Sequence, residues 1–243
     1  MALYLCQQEI DLSKLYRWAG KRRIFSGILD EGYALHAFLT ENLGEHAPQP
    51  FRLIHTAGAD NGTLYGYSKH GAALINQTAT EIAQPDYREI ASAVIEKQMP
   101  SSWRVGRRFG FEIKVRPTTR FRNEHGKMVE RDAFLSQVAG SPAKVPIDRK
   151  QVYTEWLGSR LNKNGACLSE DSSVSMPAFQ RNKIVRVRGA RGGSEGPDCV
   201  LRGVLEVTNE AAFMHMLANG AGRHKAYGYG MLLLRPARVR KTC

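Results

Sequence analysis

A tyrosine and a histidine lie three residues apart on one predicted helix, a placement that would let them act together in acid–base chemistry. The apolar spacing of residues 30–43 predicts a helix, with Tyr33 three residues before His36. Residues at that spacing are neighbours on a helix surface, and such a pair could move protons near neutral pH. The spacing by itself favours the plainer interpretation, a surface histidine that packs beside a tyrosine.

A glycine-rich segment near the end of the chain could bind an anion. Residues 220–230 read GAGRHKAYGYG, and an apolar run follows. Backbone N–H groups in such a loop can form a concave anion site, and the central cations indicate a phosphate-bearing partner. The glycines are Gly220, Gly222, Gly228 and Gly230, and the cationic residues are Arg223, His224 and Lys225.

The charge of the chain favours nucleic acid as that partner. Thirty-five Lys and Arg against 23 Asp and Glu give a net charge of +12, and several basic segments contain almost no acid. Arginine suits phosphate because its planar fork pairs two oxygens at once, although a solvated basic face would have the same composition. The candidate contacts outside the loop are Arg22, Arg23, Arg107, Arg108, Arg116, Arg120, Arg122, Arg186, Arg188 and Arg240.

Composition excludes several other classes of protein. The seven histidines include no i, i+4 pair, and no acidic cluster resembles a two-metal nuclease, so we expect no metal and no cofactor. The four cysteines form no Cys-x-x-Cys pair, which fits free thiols in a reducing cytoplasm. We find no signal peptide and no apolar run near the roughly 20 residues that span a bilayer. We therefore expect a cytoplasmic protein without a membrane partner.

The order of predicted elements indicates two similar domains. Both halves contain strand, helix, strand, strand and helix patterns, and the second half ends on a further strand. We expect an α+β protein of two tandem ferredoxin-like (RRM-like, split βαβ) domains, 1–105 and 106–243. The first carries the Tyr33/His36 helix, and the second carries a basic insertion and the glycine-rich loop. We also expect a helix over 86–97 and Asn209 as the N-cap of the last helix.

These motifs together resemble a known family, the CRISPR repeat-processing endoribonucleases, and most closely their CasE (type I-E) branch. The resemblance covers most of the chain. The resemblance rests on five features: the glycine-rich loop with Lys225, the Tyr33-Ala-Leu-His36 placement, the strand Phe109–Pro117, Trp156 in its helix, and Gly203–Val207 before the last helix.

The resemblance implies an activity and roles for the site residues. Such an enzyme binds the hairpin of CRISPR repeats in precursor RNA, cuts at its 3′ base without metal by 2′-OH attack, and stays bound to mature crRNA in an interference complex. His36 would then transfer protons as base or acid, Tyr33 would assist at the 2′-OH, and Lys225 with the loop N–H groups would stabilise the phosphate. The other subunits of that CRISPR effector complex are further expected partners.

Departures from the family keep alternatives open. The chain is longer and more basic than a typical CasE, which fits a diverged type IV counterpart. Arg23 and its neighbours could carry the chemistry in place of His36 by clamping the RNA in the in-line geometry. Two non-catalytic hypotheses also stand: a hairpin-RNA-binding subunit of a CRISPR ribonucleoprotein, and a different RNA-binding protein built from two RRM-like units.

Overall fold

The first half of the chain folds into a four-stranded sheet with helices on one face. The computed structural model describes residues 2–24, 30–141, 146–186 and 193–237, and only the backbone of 181–186 and 193–194. The strands are β1 (Tyr4–Asp11), β2 (Phe51–Ile54), β3 (Asn61–Ser68) and β4 (Ile95–Gln98), and the helices are α1 (Leu12–Lys21), α2 (Glu31–Leu43), α3 (Ala72–Glu81) and α4 (Tyr87–Ile90).

The strand order of this sheet is β2-β3-β1-β4, with antiparallel neighbours throughout. This is the order of a ferredoxin-like unit, in which the first and third strands lie at the centre. Alternate residues of β1, such as Cys6 and Ile10, are buried against the helices. The opposite face carries Leu5 and its cross-strand partner Tyr67, and this face meets the second domain.

The predicted helix over 86–97 is wrong. The helical backbone ends at Ile90, Ala91 is extended and bridges to Ile10, and residues 95–98 pair with β1 as β4. Without β4, one edge of β1 would leave its backbone N–H and C=O groups unpaired. Sheet pairing between distant residues therefore decides the structure of this segment over its local helical pattern.

The second half repeats the same topology with an inserted hairpin. Its sheet has the order β11-β5-β10-β8, and β9 also pairs with β10, while β6 and β7 form a separate two-stranded hairpin. The strands are β5 (Arg108–Val115), β6 (Thr118–Arg122), β7 (Met128–Asp132), β8 (Ala166–Leu168), β9 (Ser175–Arg186), β10 (Gly193–Val207) and β11 (Leu232–Pro236), and the helices are α5 (Ala133–Gly140), α6 (Arg149–Asn162) and α7 (Glu210–Asn219).

Two tandem ferredoxin-like domains are thus confirmed, as is the predicted cap of the last helix. The side chain of Asn209 accepts a hydrogen bond from the backbone N–H of Ala212 at 2.9 Å. Phe111 and Ile113 of β5 are fully buried in the core beside α6 and α7. Among the described residues, no helix has both the length and the apolar character that crossing a membrane requires.

The two sheets contact each other through faces that the helices leave open. Arg52 of β2 and Glu112 of β5 form an ion pair at 2.6 Å between the domains, and the Arg52 side chain is only 8% exposed. The hydroxyl of Tyr67 donates to the backbone carbonyl of Leu232 at 2.9 Å. Tyr67 and Leu3 belong to the same buried cluster as the core of the second domain.

Residues 99–107 connect the two domains and help to build the second core. Trp103 is 3% exposed and packs its ring edge-on against Phe109 and Phe213, with centroids 5.3 and 5.2 Å away. Trp103 therefore packs with the second domain although it precedes residue 106. The predicted division between 105 and 106 falls within this connection and stays a prediction.

Candidate functional site

Helix α2 presents Tyr33 and His36 on one face. Asp30 caps the helix, because its carboxylate accepts a hydrogen bond from the backbone N–H of Tyr33 at 3.1 Å. Thr40 lies one turn beyond His36, with its hydroxyl oxygen 3.4 Å from Nδ1 of the imidazole. The predicted helix is therefore present with the two side chains as neighbours.

The environment of His36 favours its neutral form. The side chain is half-buried, and desolvation lowers the pKa of the imidazole below its ordinary value of 6.5. A histidine with a lowered pKa is unprotonated at neutral pH, so that one ring nitrogen can accept a proton. The His36 imidazole is therefore able to accept a proton at physiological pH.

The glycine-rich loop has a defined and closed conformation. All four of its predicted glycines have positive φ: Gly220 at 73°, Gly222 at 90°, Gly228 at 81° and Gly230 at 78°. The ends of the loop are joined by a hydrogen bond of 2.8 Å from the N–H of Ala221 to the carbonyl of Gly230. A Cβ atom at Gly230 would overlap the carbonyl oxygen of Ala221, so only glycine fits there.

The loop contacts the face of α2 that carries Tyr33 and His36. Residues Lys225–Tyr227 form a 3-10 turn, and the Tyr227 ring lies 5.9 Å from that of Tyr33 and 5.4 Å, edge-on, from that of His36. A Cβ atom at Gly32 would overlap the carbonyl oxygen of Tyr227, so the helix and the loop touch through backbone. Residues from both ends of the chain therefore form one site.

Lys225 occupies the first position of the 3-10 turn and is half-buried. Its side chain passes over Gly220, since a Cβ atom at that glycine would lie 3.0 Å from Cδ of the lysine. The predicted loop cation therefore belongs to the segment that contacts α2. This arrangement puts positive charge and a proton acceptor on neighbouring elements of one site.

The two residues before Lys225, Arg223 and His224, bind a carboxylate. Glu130 of β7 forms an ion pair with Arg223 and accepts a hydrogen bond of 2.9 Å from Nε2 of His224. The hydrogen bond from His224 is the largest influence that lowers the pKa of the Glu130 carboxyl, and the charge of Arg223 acts in the same direction. The His224 side chain is 6% exposed and faces Glu130, and its predicted phosphate contact stays a prediction.

Arg116, another predicted RNA contact, is buried. This residue is 1% exposed, and a Cβ atom at Gly196 would lie 2.8 Å from its guanidinium nitrogen Nη2. In the alternation of β5 and its extension, Arg116 shares a face with Lys114, opposite the core residue Val115, and it is buried there beside Gly196. Its predicted contact with RNA stays a prediction.

Arg107 and Arg108 lie far from the glycine-rich loop. The loop is joined to β5 at Lys114, whose carbonyl accepts from the N–H of Gly230, whereas the two arginines stand at the other end of that strand, about 20 Å away at 3.4 Å per residue. Arg108 pairs with Asp171 at 2.9 Å, and both arginines line a cleft of about 1360 Å³ between the domains.

The two arginines before α2 stand at the end of α1. Arg22 pairs with Glu41 of α2 at 2.9 Å and lies 4.4 Å over the ring of Trp18. Arg23 is exposed and has a φ of 52°, and it closes the helix with the paired backbone hydrogen bonds of a Schellman motif. The catalytic role predicted for Arg23 stays a prediction.

The remaining predicted contacts fall on the two hairpins and the C-terminus. Arg120 and Arg122 are exposed on β6. The side chain of Arg186, and all of Arg188 and Arg240, lie outside the described residues. Among the residues that the structure describes, no group of three or more His, Cys, Asp or Glu is arranged to hold a metal ion.

Three residues of the site were missed from the sequence. Gly32 carried a readable sign, because a glycine within the first turn of a helix indicates a close backbone approach. Tyr227 and Glu130 carried none, since a tyrosine between glycines and a lone acid in a basic hairpin are common. Their importance follows only from the contacts with His36 and His224.

Three solved structures share this fold. Thermus thermophilus Cse3, bound to an RNA representing a pre-cleavage complex, is 19% identical with a TM-score of 0.61 over 97% of this chain and all of that one. Cas6e from Escherichia coli K-12 is 17% identical, with a TM-score of 0.60 over 96% of this chain and all of that one. A chain of a CRISPR RNA-guided surveillance complex is 18% identical, with a TM-score of 0.52 over the same shares.

Sequence comparison with curated proteins found no match. A family model described as CRISPR associated protein matches residues 3–236, which include both ferredoxin-like domains, α2 and the whole glycine-rich loop. The match extends over nearly the full sequence and agrees with the fold shared with the three solved structures. The chain therefore belongs to the CRISPR associated protein family.

Proposed function

We propose that this protein is a metal-independent endoribonuclease that cuts the hairpin of CRISPR repeats in precursor RNA at its 3′ base. The observation that carries the proposal is the contact between the Tyr33/His36 face of α2 and the turn Lys225–Tyr227. The solved relatives support it, because Cse3 was captured with RNA representing a pre-cleavage complex. Another solved structure of Cse3, bound to a 19-nucleotide RNA, names it a CRISPR endoribonuclease.

The proposed chemistry is attack of a ribose 2′-oxygen on the adjacent phosphorus. His36, neutral because burial lowers its pKa, takes the proton of the 2′-OH as general base. The new P–O2′ bond forms while the P–O5′ bond breaks, which leaves a 2′,3′-cyclic phosphate and, after protonation of the leaving oxygen, a 5′-OH. Tyr33 orients the 2′-OH, and Lys225 with loop N–H groups stabilises the negative charge on the phosphate.

RNA binding is proposed to extend from this site over the exposed arginines. Arg120 and Arg122 of the β6–β7 hairpin are exposed beside the loop that Glu130 of the same hairpin contacts. A-form RNA is recognised mainly through shape and backbone, which suits arginine contacts. Because a relative is part of a CRISPR RNA-guided surveillance complex, we propose that this protein stays bound to mature crRNA and joins other subunits in such a complex.

The test is incubation of the purified protein with repeat RNA from its own locus in the presence of EDTA. We expect one defined cut with a cyclic phosphate and a 5′-OH, and no cut when the scissile 2′-OH is replaced by hydrogen, while binding is kept. Tight binding without any cut would instead favour a non-catalytic RNA-binding subunit. Loss of cutting in EDTA that Mg²⁺ restores would contradict metal independence.

A pair of histidine variants tests the assignment of the base. His36→Ala should slow cleavage at least about a hundredfold, the lower end of the usual range for a general base, and should leave RNA affinity nearly unchanged. His215→Ala is the matched control, because this histidine is exposed on α7. The control variant should cleave at the normal rate. A near-normal rate in His36→Ala would move the chemistry to Arg23 and its neighbours.

A further inference from the structure

The β6–β7 hairpin has one face toward α5 and the other toward the glycine-rich loop. Thr119 on the first face bonds to Ser136 of α5, with their hydroxyl oxygens 2.7 Å apart. Arg120 and Glu130 are directly opposite each other on the second face. Arg120 is exposed there, whereas the Glu130 side chain is only 14% exposed because it reaches into the loop.

Glu130 binds two consecutive loop residues, Arg223 and His224. His224 has φ 59° and ψ 29°, a left-handed conformation that residues with a side chain adopt only at an energetic cost. Such a conformation persists when surrounding contacts hold it. The carboxylate of Glu130 supplies those contacts from outside the loop.

The residue held in this way precedes the turn that touches α2. The backbone N–H of Tyr227 donates to the carbonyl of His224 at 2.9 Å, and the Tyr227 ring packs edge-on against His36. A second connection runs parallel to it: Nε1 of Trp156 donates to the carbonyl of Thr118 at 3.0 Å at the base of the hairpin. The Trp156 ring also packs beside Gly222, near the start of the loop.

We propose that Glu130 is a positioning residue, which holds the glycine-rich loop in the conformation that places Tyr227 and Lys225 against the Tyr33/His36 face. Only the kinetic consequence of this inference rests on the proposed function. The hairpin that presents Arg120 to RNA also holds the loop through Glu130, so RNA contact and loop geometry share one rigid element. An acid in a basic hairpin, unfavourable for phosphate binding, is explained by this contact.

Hydrogen exchange tests the positioning role without RNA. In Glu130→Gln, which keeps the shape and removes the charge, we expect at least tenfold faster exchange at the amide of Tyr227 and unchanged exchange in β1 and β3. Glu124→Gln is the matched control, because Glu124 is an exposed acid in the turn of the same hairpin. Loop exchange in Glu130→Gln equal to that of the control would overturn the proposal, whether or not the protein cleaves RNA.

Single-turnover kinetics tests the consequence for cleavage. Glu130→Gln should lower the cleavage rate at saturating protein at least tenfold, while Kd for uncleavable 2′-deoxy RNA changes less than threefold; Glu124→Gln should change neither. Glu130→Asp, which keeps the charge and shortens the reach, should also lose rate. A defect confined to Kd would overturn the proposal. If the wild-type protein leaves the RNA uncut and the exchange result is as expected, the proposed function is refuted and the positioning role stands.

Discussion

At the scale of single residues, the site depends on partial burial. His36 is enclosed enough for desolvation to lower its pKa, yet it remains half-exposed and accessible to RNA. Tyr227 contributes to that enclosure because its ring packs against His36 edge-on. A fully exposed histidine would be about half protonated near pH 6.5, so a smaller fraction of it could accept a proton at that pH. The tyrosine of the loop therefore shapes the acid–base behaviour of the helix residue.

The lowered pKa predicts the pH dependence of cleavage. As a general base His36 must be unprotonated, so kcat/KM should rise with pH below the pKa of the free protein and level off above it, with a midpoint below 6.5. Stopped assays between pH 4.5 and 8 with the repeat RNA measure this profile. A rate that falls as pH rises through this range would make His36 the acid rather than the base.

At the scale of elements, the site is a contact between one helix and one loop. Helix α2 begins at a capped turn, and its second residue is Gly32, where the carbonyl of Tyr227 approaches the helix backbone. The loop in turn needs positive φ at its glycines to bring that carbonyl to the helix. Both elements use glycine to remove side-chain bulk between their backbones.

Gly32→Ala tests this contact against a matched helical glycine. The new methyl group overlaps a backbone atom that cannot move aside, so we expect destabilisation of about 1–3 kcal/mol, the usual cost of overpacking. Gly20→Ala in α1 meets no atom within 4 Å and should be neutral or stabilising by up to about 1 kcal/mol. Midpoints of urea unfolding measure both. Equal midpoints for the two variants would show that α2 and the loop do not touch in this way.

In the whole molecule, the site exists because contacts between the two domains fix their relative position. Loop and helix belong to different domains, which are joined by the Arg52–Glu112 ion pair and the Tyr67–Leu232 hydrogen bond. Glu112 also binds Arg202, which is exposed. The open sheet faces, usually free in an isolated ferredoxin-like unit, are used here to connect the two units.

Substitutions at the ion pair test this connection. Glu112→Gln leaves the Arg52 guanidinium buried without its carboxylate and should destabilise the protein by about 3–5 kcal/mol. Arg202→Gln removes only the exposed partner of the same carboxylate and should cost about 1 kcal/mol or less. Chemical unfolding gives both values.

The double variant Arg52→Met/Glu112→Leu completes this test. It removes both charges, so we expect it to be more stable than Glu112→Gln alone. A double variant that is as unstable as the single one would mean that the pair does not act through the buried charge of Arg52.

Local sequence patterns were sufficient to indicate most of the elements and the chemistry that they could perform. Periodic apolar residues and capping residues are local patterns, so they indicated α2, α7, most strands and the repeated ferredoxin-like order. Residue types alone showed that the Tyr33/His36 pair could transfer protons and that residues 220–230 could bind an anion. The segment 86–97 was the exception, because pairing with β1, a distant strand, overrode its helical pattern.

Which of these residues lie together depends on the tertiary packing. Burial and pairing depend on sheet register and on how two domains pack, and neither is encoded in a local pattern. Arg116 and Arg122 look alike in the sequence, but one is enclosed by β10 and the other is exposed. Tyr227 beside His36, and Glu130 bound to His224, are contacts across 94 or more residues of chain, which long-range packing alone creates.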